Sequence, residues 1–454
     1  MQPTEPLAAP DSRAPSVFTV AVGCRVNQSE AEGFAAELAA RGFTAAADPA
    51  LADVVVVNTC AVTGSADTDG RKLVRRIHRA NPRARIVVTG CQAEREPGVL
   101  AALPGVRLVV GNGGKQRLAE WAAALDDTAA TRVERPPVHE LGAFVALAPG
   151  APATSQARPL IKIQDGCDRS CAFCVIPAAR GSSRSHAAAG VLDELRRVAR
   201  GGCDEAVLTG IDLGSWGLDL TPATELAALL DRIDAERPVR RVRLSSLDPR
   251  DLDHGLADRI ARYAWLCPHL HLSVQTGSAE LHRRMGRGRW PERLGEHLEH
   301  IRERRPELAL GLDVMTGFPG ESELDHQQTL AWIRSQPVSY LHVFPYSPRP
   351  GTAAFAWAPA DGASFASPVV HATIQRRAQE LRALGARARL AFHQRQVGAE
   401  LEVVVERMDG EVAQGTSSNY VAVRWPAAET PAIGALARVR IDRAASAGCE
   451  GSPS

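Results

Sequence analysis

Three times in its N-terminal part the chain runs through a short apolar stretch and stops at a cysteine: Val20-Ala21-Val22-Gly23-Cys24, Val57-Asn58-Thr59-Cys60 and Val88-Thr89-Gly90-Cys91. Segments with the spacing of amphipathic helices, over 30–40 and near 71–80, lie between them. Continuous apolar strands at 18–22, 54–57, 86–88 and 108–110, alternating with such helices, predict a parallel sheet covered on both faces, a small Rossmann-like domain. In a parallel sheet these strand ends share one edge, so thiols far apart in sequence can meet there. That edge is also where open α/β sheets bind ligands. A single buried cysteine at a strand end is usually only a small hydrophobe. Three in register predict a common ligand, and three thiolates without a fourth fit an iron–sulfur cluster that keeps one iron open.

A second set follows another strand pattern, at 160–164. Cys167, Cys171 and Cys174 form C-x3-C-x2-C, with the aromatic Phe173 before the third. A 4Fe-4S cubane has four irons, so three thiolates again leave one open. That iron can chelate the amino and carboxylate groups of S-adenosylmethionine. Five further strand patterns follow, at 206–209, 242–245, 271–274, 310–315 and 340–344, with helical patterns between them. Six β-α repeats predict a partial (β/α)6 barrel, similar to a TIM barrel but short of eight. Such barrels place their chemistry beyond the C-terminal strand ends. Thr209, Gly210, Ser245 and Gln275 are therefore candidate contacts for S-adenosylmethionine or substrate, as is the stretch 313–321. From about 396, short alternating strands at 401–405, 420–424 and 437–441 predict a small C-terminal β-barrel.

The 454 residues suffice for several domains. The expected division is a disordered tail over 1–16, an N-terminal domain over 17–128, a Pro- and Ala-rich linker over 129–158, the barrel over 159–395, the small β-barrel over 396–445 and a disordered tail over 446–454. A net charge of +1 carries no global nucleic-acid signal. Nearly all cations are arginine, the residue suited to bidentate phosphate contact. Arg376, Arg377, Arg382, Arg387, Arg389 and Arg395 cluster on one helical pattern that is either phosphate-contacting or a solvated face. The N-terminus has no basic segment followed by an apolar one, and no run approaches the roughly 18 apolar residues that cross a bilayer, so a soluble cytoplasmic protein is expected. Nine cysteines without a secretory leader favour metal ligation over disulfides. Cys203, Cys267 and Cys449 are expected to be dispensable, Cys449 because it falls in the Gly/Ser-rich tail.

With its three cysteines after a barrel strand, the chain resembles the radical S-adenosylmethionine superfamily. Gly23-Cys24-Arg25-Val26-Asn27-Gln28, Asn58-Thr59-Cys60-Ala61-Val62-Thr63, Thr89-Gly90-Cys91, the run from His271 to Ser278, Thr316-Gly317-Phe318-Pro319-Gly320-Glu321 and the run from Phe344 to Thr352 sharpen the resemblance to its methylthiotransferase family. Gly415-Thr416-Ser417-Ser418-Asn419-Tyr420 resembles the TRAM RNA-binding module. The resemblance implies two 4Fe-4S clusters: one on Cys24, Cys60 and Cys91 that carries the sulfur to be methylated and transferred, and one on Cys167, Cys171 and Cys174 that cleaves S-adenosylmethionine to a radical. It further implies the tRNA anticodon stem-loop as partner and an electron donor of the flavodoxin or ferredoxin type, the sulfur donor being open. The first two N-terminal motifs resemble the branch acting on N6-threonylcarbamoyladenosine. The isopentenyladenosine branch typically has Met-Asn where this chain has Val26-Asn27, and the branch acting on a ribosomal protein aspartate usually shows Pro-Lys where it has Arg25-Val26. A threonyl carboxylate calls for a cation, for which Arg287 and Arg349 are the candidates. The chain departs from the family at Met285-Gly286-Arg287, where two adjacent arginines are usual, and at Trp216, where a tyrosine is usual.

Overall fold

The structure, a computed structural model, describes residues 13–126, 130–147, 157–288, 293–357, 368–427 and 431–454. The chain folds into two units, one made chiefly of residues 13–136 and one of 137–146 and 157–454.

In the first unit, Val54–Thr59 is buried along its whole length. Val54 and Val56 enter one apolar core, Val55 and Val57 the other. A strand with both faces covered must sit inside a sheet with helices on each side. The sheet has six strands in the order Thr44–Ala45, Ser16–Ala21, Val54–Thr59, Arg85–Gly90, Val106–Val110 and Arg132–Glu134. Every pairing is parallel. This is the doubly wound order 2-1-3-4-5, extended by one strand, and its switch point lies between Ser16–Ala21 and Val54–Thr59.

In the second unit, six parallel strands follow one another in chain order: Leu160–Lys162, Glu205–Thr209, Arg241–Leu244, His269–Gln275, Ala309–Thr316 and Val338–Pro345. They form two three-stranded sheets. The parallel bridge Leu247↔Leu272 links the sheets. Alternation along these strands sorts the side chains. Leu208, Val242, Leu244, Leu270, Leu272, Leu310 and Leu312 pack in a core with the helices. The opposite positions, Glu205, Arg241, Arg243, His269, His271, Asp313 and Tyr340, make a polar barrel interior. The helix His371–Gln394 packs against the last strand. A closed barrel of five strands follows, Glu400–Asp409, Val412–Ser417, Ala422–Pro426, Leu436–Ala445 and Gly448–Pro453.

Three expected boundaries shift. Ser16, given to a disordered tail, begins the first strand. The tail's residues 1–12 lie outside the described residues. The expected linker over 129–158 contains the sheet's sixth strand, Arg132–Glu134, paired with Val106–Val110. Residues 129 and 148–156 lie outside the described residues. The expected tail over 446–454 instead contains Gly448–Pro453, which pairs with Leu436–Ala445 and Ala422–Pro426 and closes the barrel. Its glycines, serine and proline read as coil, but strand neighbours on both sides override that local preference. Cys449 is accordingly buried in the barrel core.

Candidate functional site

Cys24, Cys60 and Cys91 lie just beyond the C-terminal ends of Ser16–Ala21, Val54–Thr59 and Arg85–Gly90, the first two of which flank the switch point. Cys24 is the N-cap of the helix Arg25–Ala39, and Cys91 opens the short helix Cys91–Arg95. A helix N-terminus favours the thiolate. The chain turns through Gly23 and Gly90 just before these cysteines, both at positive φ. A Cβ on Gly23 would lie 2.7 Å from Cys60 Sγ, which places the first strand end against the second thiol. A Cβ on Gly90 would lie 2.2 Å from Thr59 O. Glycine alone permits both the close approach and the φ of 99° there.

Buried hydrogen bonds tie these strand ends together. Asn27 Nδ2 donates to Val22 O at 2.9 Å and Thr59 O at 3.0 Å. Asn58 Nδ2 donates to Asn27 O at 2.9 Å and to Glu30 Oε2 at 3.1 Å. Lys115 pairs with Glu30 in the same interior. Asn112 Nδ2 lies 3.9 Å from Cys91 Sγ. The motifs around Cys24 and Cys60 carry Asn27 and Asn58, but their mutual bonds and the partnership with Glu30 and Lys115 follow only from the folded sheet.

The second triad is held by a loop after the first barrel strands. Cys167 N donates to Gly181 O at 3.1 Å and Cys174 N to Cys171 O at 3.0 Å. A donor lies near each sulfur: Arg169 N at 3.4 Å from Cys167, Ile176 N at 3.4 Å from Cys174 and Arg287 Nη1 at 3.8 Å from Cys171. Beside them runs a belt of opposite charges. Arg169 bonds Asp212 at 2.6 Å and Asp251 at 2.5 and 2.7 Å. Arg250 and Arg287 both bond Asp248. Burial, and secondarily Asp212 at 3.6 Å, push the Cys167 thiol up to about 12. Burial with Asp212 and Asp248 nearby pushes Asp251 up to about 6 despite Arg169. A thiol so placed becomes a thiolate when a cation binds it, as cluster iron does.

None of the nine cysteines is in a disulfide among the described residues. Each triad offers an all-thiolate donor set, the one that iron–sulfur clusters take.

Thr209, Gly210, Ser245 and Gln275 come to the same barrel rim as the second triad, at the C-terminal ends of the second, third and fourth strands. Gln275 holds a left-handed φ of 70°. Ser245 Oγ and Gln275 Oε1 are buried with no hydrogen-bond partner among the described residues. Buried polar atoms of this kind need a ligand or water. The arginine expectations fare differently. Arg287 is buried and bonded to Asp248 and Ser273 O, each at 2.6 Å, while its Nε has no hydrogen-bond partner among the described residues. Arg349 is 5% exposed. On the helix His371–Gln394, Arg376 pairs with Glu323 and Glu380, and buried Arg377 with Glu321 and Glu323. Trp216 is fully buried, with Nε1 donating to His186 O at 2.9 Å.

Gly166 has a φ of 73°, and a Cβ there would lie 1.9 Å from Ser182 O. Gly166→Ala should therefore displace the loop that starts the second triad. The left-handed conformation alone costs about 1–2 kcal/mol. Iron counting after reconstitution should show the second triad's iron lost and the first triad's retained.

Residues 16–111 match the uncharacterized protein family UPF0004 and residues 161–333 the radical SAM superfamily. The threonylcarbamoyladenosine tRNA methylthiotransferase MtaB of Chlamydia pneumoniae is 34% identical over 93% of this chain and 94% of its own. The protein of the same name from Bacillus subtilis is 32% identical over 93% of each chain. The tRNA-2-methylthio-N(6)-dimethylallyladenosine synthase of Novosphingobium aromaticivorans is 32% identical over 88% of this chain and 89% of its own. The radical S-adenosylmethionine methyltransferase TsrM of Kitasatospora setae shares the fold, with a TM-score of 0.53 and 19% identity over 73% of each chain. Two cysteine triads at strand ends and relatives of this similarity along nearly the whole length place the chain in the radical S-adenosylmethionine methylthiotransferase family.

Proposed function

We propose that the protein methylthiolates C2 of N6-threonylcarbamoyladenosine beside the tRNA anticodon, in the cytoplasm, using two 4Fe-4S clusters. The observation that carries the reading is the pair of three-thiol sites, each short of a fourth thiolate. Bound to Cys167, Cys171 and Cys174, a cluster would supply the electron that cleaves S-adenosylmethionine, the source of a radical able to attack an unactivated aromatic C–H. The residues around it have separate tasks. Arg169 N, Ile176 N and Arg287 stabilise the thiolates by donating to sulfur, which also tunes a cluster's potential. Asp248 holds Arg287 in place. Ser245 and Gln275 are the proposed polar contacts to S-adenosylmethionine. Cys24, Cys60 and Cys91 would hold the second cluster, which would carry the sulfur atom to be methylated and transferred. The small barrel is the proposed TRAM-like module gripping RNA, and single-stranded anticodon loops present bases that can be splayed out. Electrons would come from a flavodoxin or ferredoxin type of donor.

The substrate choice rests on the N-terminal motifs and on the relatives named for threonylcarbamoyladenosine. Mass spectrometry of nucleosides from a reconstituted reaction tests it. The 2-methylthio product is expected from threonylcarbamoyladenosine tRNA, and product from isopentenyladenosine tRNA alone would overturn the substrate while leaving the reaction class intact.

A further inference from the structure

The cysteines do not use the most polar part of the barrel interior. There, His271 and Asp313 from neighbouring strands and His342 from the next converge on one point. His271 Nε2 is 2.9 Å and His342 Nδ1 3.4 Å from the same oxygen, Asp313 Oδ1. One ligand atom from each residue lies within 4.8 Å of the other two, the only such group among the described residues. We propose that His271, Asp313 and His342 form a binding site for one divalent first-row metal ion of the zinc class, separate from both cysteine triads.

Three features carry the assignment. The donor set is two imidazoles and one carboxylate, which binds zinc in hydrolytic enzymes and iron(II) in facial-triad sites, each leaving positions open. Ligand atoms about 2.0–2.1 Å from such an ion lie roughly 3–3.4 Å apart, close to the 2.9 and 3.4 Å separations here. The outer nitrogen of His271 is also fixed. Its Nδ1 is 3.0 Å from Tyr340 Oη, which is in turn 2.8 Å from His269 Nε2. A metal-bound histidine almost always hands its other N–H to such a partner, which sets the tautomer and aims the free nitrogen at the ion. Exposure is graded: the His271 side chain is 7% exposed, Asp313 22% and His342 54%. The site is thus anchored inside and open on the His342 side, where an ion enters and an exogenous oxygen ligand completes the coordination. Ser273 links the two centres: its hydroxyl is 3.5 Å from Asp313 Oδ2, and its carbonyl accepts from Arg287, the arginine beside Cys171.

The test is metal analysis of the reconstituted holoenzyme after dialysis against micromolar zinc under anaerobic conditions. About one zinc per chain is expected with the iron content unchanged. His342→Ala, at the exposed ligand, and Asp313→Asn should each lose that zinc and keep the iron. Tyr340→Phe, which leaves the three ligands in place, should weaken zinc binding by about 10–100-fold. No stoichiometric zinc, zinc that survives both ligand variants, or zinc that falls only together with iron would each overturn the site.

Discussion

Replacing Cys167, Cys171 and Cys174 together with alanine is expected to bring 5′-deoxyadenosine formation from S-adenosylmethionine down to the rate without enzyme and to remove roughly half of the reconstituted iron, one of two cubanes. The effect is expected to be total because, on the proposed reading, these three thiolates are the whole protein share of the ligation; each sulfur also lies 3.4 to 3.8 Å from a donor. The complementary triple variant of Cys24, Cys60 and Cys91 should keep S-adenosylmethionine cleavage and lose the methylthio product. The two sets belong to different folding units, which makes the losses separable. Liquid chromatography of the quenched reactions reads both outcomes. Deoxyadenosine from the first variant, or loss of all iron from either one, would contradict independent sites. Cys203→Ala and Cys267→Ala are the controls. Both residues are buried thiols outside either triad, and Cys267 is packed at 3% exposure.

The cysteines are legible in the sequence because strand ends in a parallel sheet share an edge whatever the intervening helices do. Knowing that Val54, Val57 and Val88 lie in strands is enough to place Cys60 and Cys91 at the same sheet edge, where Thr59 pairs with Gly90. The same reasoning finds all six barrel strands. It fails where long-range pairing decides. Gly448–Pro453 is a strand only because Leu436–Ala445 and Ala422–Pro426 flank it. Arg132–Glu134 is one only because Val106–Val110 has a free edge. The charge belt at the cysteine loop is hidden for a related reason. Asp212, Asp248 and Asp251 fall in turns where aspartate is the ordinary choice, and only the barrel brings them to Arg169. Asp248 does also cap a short helix, its side chain accepting from Arg250 N. The partial signal was Arg169 itself, a charged residue inside the C-x3-C spacing. Arg287, a candidate cation for the substrate from its place near a strand-end motif, also bonds Asp248, a contact that only the folded barrel brings about.

Glu205→Ala should destabilise the joint between the large barrel and the C-terminal one more than any surface change. Glu205 is fully buried and sits between Arg241, at 2.6 Å, and Arg243, at 2.9 Å. The remaining guanidinium donors reach into the small barrel: Arg241 Nη1 to Glu402 O at 3.0 Å, and Arg243 to Ser417 O and Ser418 O, both at 3.0 Å. Tyr420, in the loop that carries those carbonyls, stacks on His269 at 4.2 Å. Two arginines can stay buried at this joint only because one carboxylate neutralises part of their charge. Removing it leaves uncompensated charge in the interior, a loss of about 3–5 kcal/mol. Burial raises the Glu205 pKa, but Arg243 and Arg241 outweigh it and hold the group below the usual carboxylate range. A depressed folded pKa means this stabilisation is complete above the unfolded value of about 4.3 and is lost as pH falls below it. A protein of several domains does not unfold in one step, so the readout is local. Hydrogen exchange or limited proteolysis of 400–453 should accelerate by about 100-fold or more in Glu205→Ala, and in the native protein only below about pH 4. Arg240→Ala is the control, because Arg240 reaches the same small barrel through Glu402 but is 58% exposed, and such pairs are worth about 0–1 kcal/mol. Equal protection in Glu205→Ala and Arg240→Ala would show that the ion triad does not hold the joint.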